Sequence, residues 1–132
     1  MTIDQAGRTD LHHAANEGRT ADVEALLDSG ANPALADRQG WTPLHFAAQS
    51  QHADIARVLL RVGAAVDAGD VFGKTTLGVA VFNVGDGEGE VIQVLLDAGA
   101  DPDLKNHAGV SPRDLVERIA NFDLSKHLPP QR

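Results

Sequence analysis

The sequence predicts an all-α solenoid of helix-turn-helix units with hairpin loops between them, three whole and a fourth truncated into a C-terminal cap. Three observations carry this. The segments "GRTDLHHAA" at Gly7, "GWTPLHFAA" at Gly40, "GKTTLGVAV" at Gly73 and "GVSPRDLVE" at Gly109 recur at steps of 33, 33 and 36 residues. A second landmark follows each of the first three: "ALLDSGAN" (25–32), "VLLRVGAA" (58–65) and "VLLDAGAD" (94–101). The apolar positions inside each unit lie at helical spacing on a side too narrow to make a core alone, so only stacking can bury it.

The units span about 4–36, 37–69 and 70–105, with a cap over 106–128 and a tail at 129–132, all within one domain, 1–132. Each reads as helix, turn, helix and extended connection. In the first, Gly30 stands where the second helix must stop, and Asn32-Pro33 prevents its continuation. In the second, the Thr42 hydroxyl can cap the first helix and Pro43 suits its opening position. Leu44, Ala47 and Ala48 then form a stripe at i, i+3, i+4 whose small residues admit a neighbouring helix. Ile55, Leu59 and Leu60 give the second helix its buried side, and Gly63 ends it in a left-handed conformation. The third unit repeats the plan and closes with Gly99 and the turn dipeptide Asp101-Pro102.

The 33-residue period, "TPLHFAA" and "LLxxGA", coinciding in register over residues 4–128, resemble the ankyrin repeat. That resemblance implies paired antiparallel helices with projecting hairpins, stacked into a curved solenoid. It also implies that His12 and His45 are structural hydrogen-bonders between loops. The chain departs from the pattern at several places. Asp10 and Thr76 replace the proline, Gly78 the histidine, Gln51 the inter-helix glycine, and Arg113-Asp114 the Leu-His pair of the last unit.

Composition narrows function. An apolar fraction of 42% suits a folded domain, and no apolar run is long enough to span a membrane. A net charge of −8 disfavours nucleic acid and anionic lipid and favours a basic or mixed-charge partner. There are no cysteines, hence no disulfide and no thiolate metal site, and the N-terminus lacks a secretion pattern. A cytoplasmic location and a free monomer are the expectations, with no cofactor.

Two segments invite a chemical reading. Asp10, His12, His13 and His45 could be combined into a metal or acid–base site, but consecutive histidines on a helix point about 100° apart. No nucleophile motif occurs, so an enzyme is not expected; a metal-dependent hydrolase is the remote alternative. "FNVGDGEGEV" (82–91) alternates glycines with acids. It lacks the lysine and spacing of a phosphate loop, and Asp86, Glu88, Glu90 and Asp97 match calcium-loop positions only if the turning glycine could be Val91. Ala80 lies 33 residues after Ala47, whereas Leu95 lies 36 after Leu59. The three extra residues therefore fall in the inter-helix turn around 84–90, a lengthened acidic loop.

In stacks of the ankyrin kind, hairpin tips and the exposed side of each first helix form a concave binding surface. Repeat position assigns Arg8, Asn16 and Glu17 to it from the first unit, and Arg38, Gln39, Trp41, Gln49 and Ser50 from the second. The third contributes Val71, Phe72, Lys74, Phe82 and Asn83, the cap His107 and Val110, and the acidic loop Asp86 and Glu88. Trp41, Val71, Phe72 and Phe82 are large apolar residues where the fold asks for none, as in interaction sites; the alternative is that Trp41 and Phe72 pack against adjacent hairpins. Alanine at Trp41, Phe72 or Phe82 is expected to weaken a complex and leave stability nearly unchanged, and loss of the fold would instead mark the residue as packing. A non-enzymatic protein-binding module follows. The latter half, from "AVFNVGDGEGEVIQVLLDAGAD" onward, also resembles small bacterial ankyrin proteins, some similar to immunity proteins, and that resemblance implies a toxin-neutralising alternative.

Overall fold

In a computed structural model, which describes residues 3–85 and 89–118, the described residues form seven α-helices and no strand beyond isolated bridges. They are α1 (Asp10–Glu17), α2 (Thr20–Asp28), α3 (Pro43–Gln49), α4 (Ala53–Arg61), α5 (Thr76–Phe82), α6 (Glu90–Asp97) and α7 (Pro112–Arg118). Each is far shorter than the ~12–15 residues that make an isolated helix even marginal in water, so packing must hold them. Two layers result. The inner helices stack in the order α1, α3, α5, α7, and the outer helices in the order α2, α4, α6. Within each unit the inner helix also packs on its outer partner.

The predicted start signals are used. Thr9, Thr42 and Thr75 each sit in extended backbone and accept an N–H of the first helical turn on the side-chain oxygen. Pro43 occupies the first turn of α3, where no N–H is missed. Gly30, Gly63 and Gly99 follow the outer helices at a φ of 95° each, in the left-handed region. Where proline is absent at the start of α5, buried Thr76 donates its hydroxyl to the Val66 carbonyl at 2.6 Å.

The core runs the length of the stack. Ala14, Ala15, Ala47, Ala48 and Ala80 are fully buried, and their small side chains bring the inner helices together around Leu11, Leu44 and Leu77. Val23, Ile55, Leu59, Ile92 and Leu95 fill the layer beneath the outer helices. Fully burying one such large aliphatic side chain contributes about 1.5–3 kcal/mol. Leu60, expected on the buried side of α4, is only half-buried; Val58 and Ala56 lie deeper. Gln51 takes a φ of 60° in place of the glycine expected at that turn. Its carboxamide donates to the carbonyls of Ala48 and Ala80 at 2.9 and 3.1 Å, which offsets the strain and bridges two units.

The lengthened turn lies where the register break put it. Three residues join α3 to α4 (50–52), whereas seven join α5 to α6 (83–89). Both ends of the longer turn are anchored, since Val84 and Gly89 are buried. Glu90, just beyond it, pairs with Arg57 of the preceding unit at 2.9 Å. Asp97 stands seven residues further along α6, about 10 Å away along the axis, so these two carboxylates cannot share an ion. In the cap, Arg113 pairs with Asp103 at 2.7 Å, and Asp114 and Ser111 exchange hydrogen bonds to each other's backbone N–H. No helix among the described residues is long and apolar enough to cross a membrane.

Candidate functional site

The exposed loops are stiffened by a side chain that recurs with the repeat. Asp4, Asp37, Asp70 and Asn106 each accept two backbone N–H groups on one side-chain oxygen, from residues two and four positions onward. Each is followed three residues later by a glycine at positive φ. Adjacent tips are then joined by Arg38 N–H to the Ala6 carbonyl, Val71 N–H to Gln39 and His107 N–H to Phe72, all at 2.9 Å. The close approach explains Gly40, where an added Cβ would lie 2.9 Å from the Asp70 backbone. Burial works against ionised Asp70, but the N–H of Lys74, the Trp41 indole and the N–H of Phe72 hold its carboxyl below the usual range. These four residues were not singled out by the sequence analysis, although D-x-x-G in the three units and N-x-x-G in the cap were there to be read.

Behind the tips, His12 and His45 do what the resemblance implied. His12 Nδ1 accepts the Thr9 N–H at 3.0 Å, and its Nε2 donates to the Trp41 carbonyl at 2.9 Å. His45 repeats this with Thr42 at 3.1 Å and Lys74 at 3.0 Å. A backbone N–H on one nitrogen and a carbonyl on the other fix the neutral Nε2–H tautomer in both. Burial lowers both pKa values from the ordinary histidine range, against the opposing pull of the Trp41 and Lys74 carbonyls. Both rings are fully engaged, while His13 turns to Asp4 at 2.8 Å. Among the described residues no three histidine or acidic side chains gather as metal ligands.

Trp41 takes the packing alternative. It is half-buried, with its indole N–H on Asp70 at 2.9 Å, its ring stacked on His45 at 5.4 Å and set against Phe46 at 5.0 Å. It is part of the packing, so its removal cannot leave the fold untouched. Arg8 is similarly occupied, reaching Asp37 at 3.4 Å and lying over the Phe46 ring at 5.0 Å.

Other assigned residues stand free of the core. Val71, Phe72 and Phe82 expose 52, 61 and 72% of their surface. Arg38, Gln39, Gln49, Lys74 and Asn83 are also exposed, with the Asn83 carboxamide tied back to the Val79 carbonyl at 2.8 Å. The structure brings Trp41, Gln49, Lys74, Phe82 and Asn83 around one cleft of about 290 Å³ between the third unit and the cap. Leu104, Pro112 and Leu115 supply its opposite wall. Leu115 escaped the sequence analysis because the cap follows the repeat pattern least closely, and Leu104 because it lies in the extended connection that closes the third unit. Arg8, Arg38 and Gln39 lie toward the N-terminal end, and Val71 and Phe72 sit at a tip outside the cleft. Asp86 and Glu88 lie outside the described residues.

Known proteins share this pattern. A family model described as ankyrin repeats in three copies matches residues 11–106. An ankyrin repeat-containing protein of Schizosaccharomyces pombe is 32% identical over 120 residues, 87% of this chain and 54% of that protein. Protein PhlB of Serratia liquefaciens is 42% identical over 98 residues, covering 74% of this chain and 42% of its own. A palmitoyltransferase of Homo sapiens is 36% identical over 169 residues, 98% of this chain but 26% of the enzyme. The chain thus spans between a quarter and about half of the relatives it matches.

Proposed function

Since the chain belongs to the ankyrin repeat family, whose repeats are generally non-enzymatic protein-interaction modules, we propose that it binds a polypeptide across the face its inner helices share with the hairpin tips. The observation that carries this is the exposure of Val71, Phe72 and Phe82, three large apolar side chains on a scaffold whose core is complete without them. Apolar anchors within a polar surround are where interfaces concentrate their affinity. The net charge of −8 favours a basic or mixed-charge partner. The free protein is taken to be a monomer. The test is affinity capture followed by titration of the purified partner. Phe72→Ala and Phe82→Ala are each expected to weaken the complex by about 1–2 kcal/mol while thermal unfolding stays within a degree or two. Unchanged affinity in the double variant would place the interface elsewhere.

A narrower reading makes the partner a bacterial toxin that this protein neutralises by direct binding. The similarity to a Serratia protein and the acidic charge support it. Co-expression with a toxin encoded beside the gene should then restore growth, and failure to restore it removes this reading while leaving the general one.

A further inference from the structure

The third unit lacks the imidazole that ties each of its predecessors to the next unit. His12 and His45 both bridge the N–H of a capping threonine to a carbonyl one unit further on. The corresponding residue is Gly78, whose own N–H reaches Thr75 Oγ1 at 3.2 Å. Thr75 is buried, and among the described residues its backbone N–H has no acceptor. The carbonyl equivalent to those of Trp41 and Lys74 belongs to Val110. It accepts the Asn106 N–H at 2.9 Å, as theirs accept Asp37 and Asp70, but among the described residues no second donor reaches it. Both residues line the cleft. A Cβ at Gly78 would meet nothing nearer than Thr75 Oγ1 at 3.6 Å and Pro112 Cγ at 3.9 Å, and the backbone there is helical. The cleft's 290 Å³ exceeds the ~150 Å³ that suffices for a benzene ring.

We propose that this cleft is a socket for one neutral imidazole ring, presented by a histidine side chain of the bound polypeptide. The unprotonated ring nitrogen takes the Thr75 N–H, the protonated one donates to Val110, and Pro112 and Leu115 cover the ring. The arrangement reproduces, with a foreign side chain, what His12 and His45 build internally. Lys74 and Arg118 at the cleft disfavour the imidazolium and so select the neutral ring. The identity of the source rests on the protein-binding reading above, but recognition of the ring can be tested without a partner.

The experiment titrates the full chain with imidazole at pH 8, where the ring is neutral, and follows amide resonances from Lys74 to Gly78 and at Val110. Saturable shifts with a millimolar Kd are expected, as befits a five-atom ligand. 1-Methylimidazole, which keeps the acceptor but has no N–H, should bind several-fold more weakly. Gly78→His should fill the socket from within, abolish the response and raise Tm. Gly78→Leu, which occupies the same space without polar groups, supplies the block should the histidine variant not fold. No saturable shift, an undiminished response in the filled variants, or equal affinity for the methylated ring overturns the socket. With a purified partner, the filled variants should lose about tenfold in affinity. Unchanged affinity beside an intact imidazole response overturns the partner's histidine as the source, whereas loss on Phe72→Ala with no imidazole response sinks the socket and leaves the interaction face standing.

Discussion

His45 concentrates much of what a single side chain contributes to this structure. His45→Ala strands the Thr42 N–H and one lone pair of the Lys74 carbonyl, and it leaves a void beneath Trp41. A loss of about 2–4 kcal/mol is expected in urea unfolding. The two buried imidazoles also impose a pH dependence of definite sign. Their folded pKa values lie below the ordinary ~6.5, so in acid the unfolded chain binds more protons than the folded one. Their contribution is complete above about pH 6.5 and is lost as pH falls below that value toward the folded pKa. Asp70, whose folded carboxyl is depressed, adds a further loss below about pH 4. Urea midpoints measured from pH 8 to pH 5 should decline, and His45→Ala should decline less steeply than the parent. A flat parent profile would contradict the buried neutral rings. Trp41→Ala should cost about 2 kcal/mol, because its indole N–H bonds Asp70 and its ring packs on His45 and Phe46.

Among the elements, α5 and the turn after it depart most from the plan of their neighbours. Gly78 sits in mid-helix with room for a side chain, so Gly78→Ala should stabilise the protein by roughly 1 kcal/mol. Calorimetry would show a rise in Tm, and a fall would mean the helix needs glycine for a reason other than packing. Deleting three residues between Gly85 and Gly89 should bring the turn to within one residue of the α3–α4 turn and leave a cooperative unfolding transition. If the complex of this variant is weakened, the loop reaches the partner. The elements themselves were legible in the sequence, because threonine caps, terminal glycines and an i, i+3, i+4 stripe are local signals. The start of α3 followed from Thr42 and Pro43, and the stop of α4 from Gly63. The role of Gln51 was not legible, since nothing local says that a carboxamide will brace a positive φ against a carbonyl 29 residues away. The sequence could not choose between the two readings of Trp41 for the same reason: its partners Asp70 and His45 belong to two different units, and only stacking brings them to one ring.

Across the whole molecule, the repeat period fixed the architecture and the number of units. Partner-facing residues could be located by repeat position, but their convergence could not. The cleft exists because a missing side chain in one unit meets an atypical cap from the next, two departures that lie more than thirty residues apart. Among the described residues, neighbouring units are joined by hairpin hydrogen bonds, by helix stacking, by ion pairs and, at the first two junctions, by a buried bridging imidazole. Among the described residues, no buried imidazole bridges α5 to the cap as His12 and His45 bridge the earlier units, although the His107 ring lies against Gly73 at the tips. The Phe72–His107 hydrogen bond still joins the tips there. Under mechanical load the seams should therefore not be equivalent. Drawn from its two ends, the chain should part first between the third unit and the cap, and the earlier units, each pinned by a histidine, should yield only at higher force. A ring held in the cleft would act as a removable rivet, raising the force of that first rupture without touching the rest.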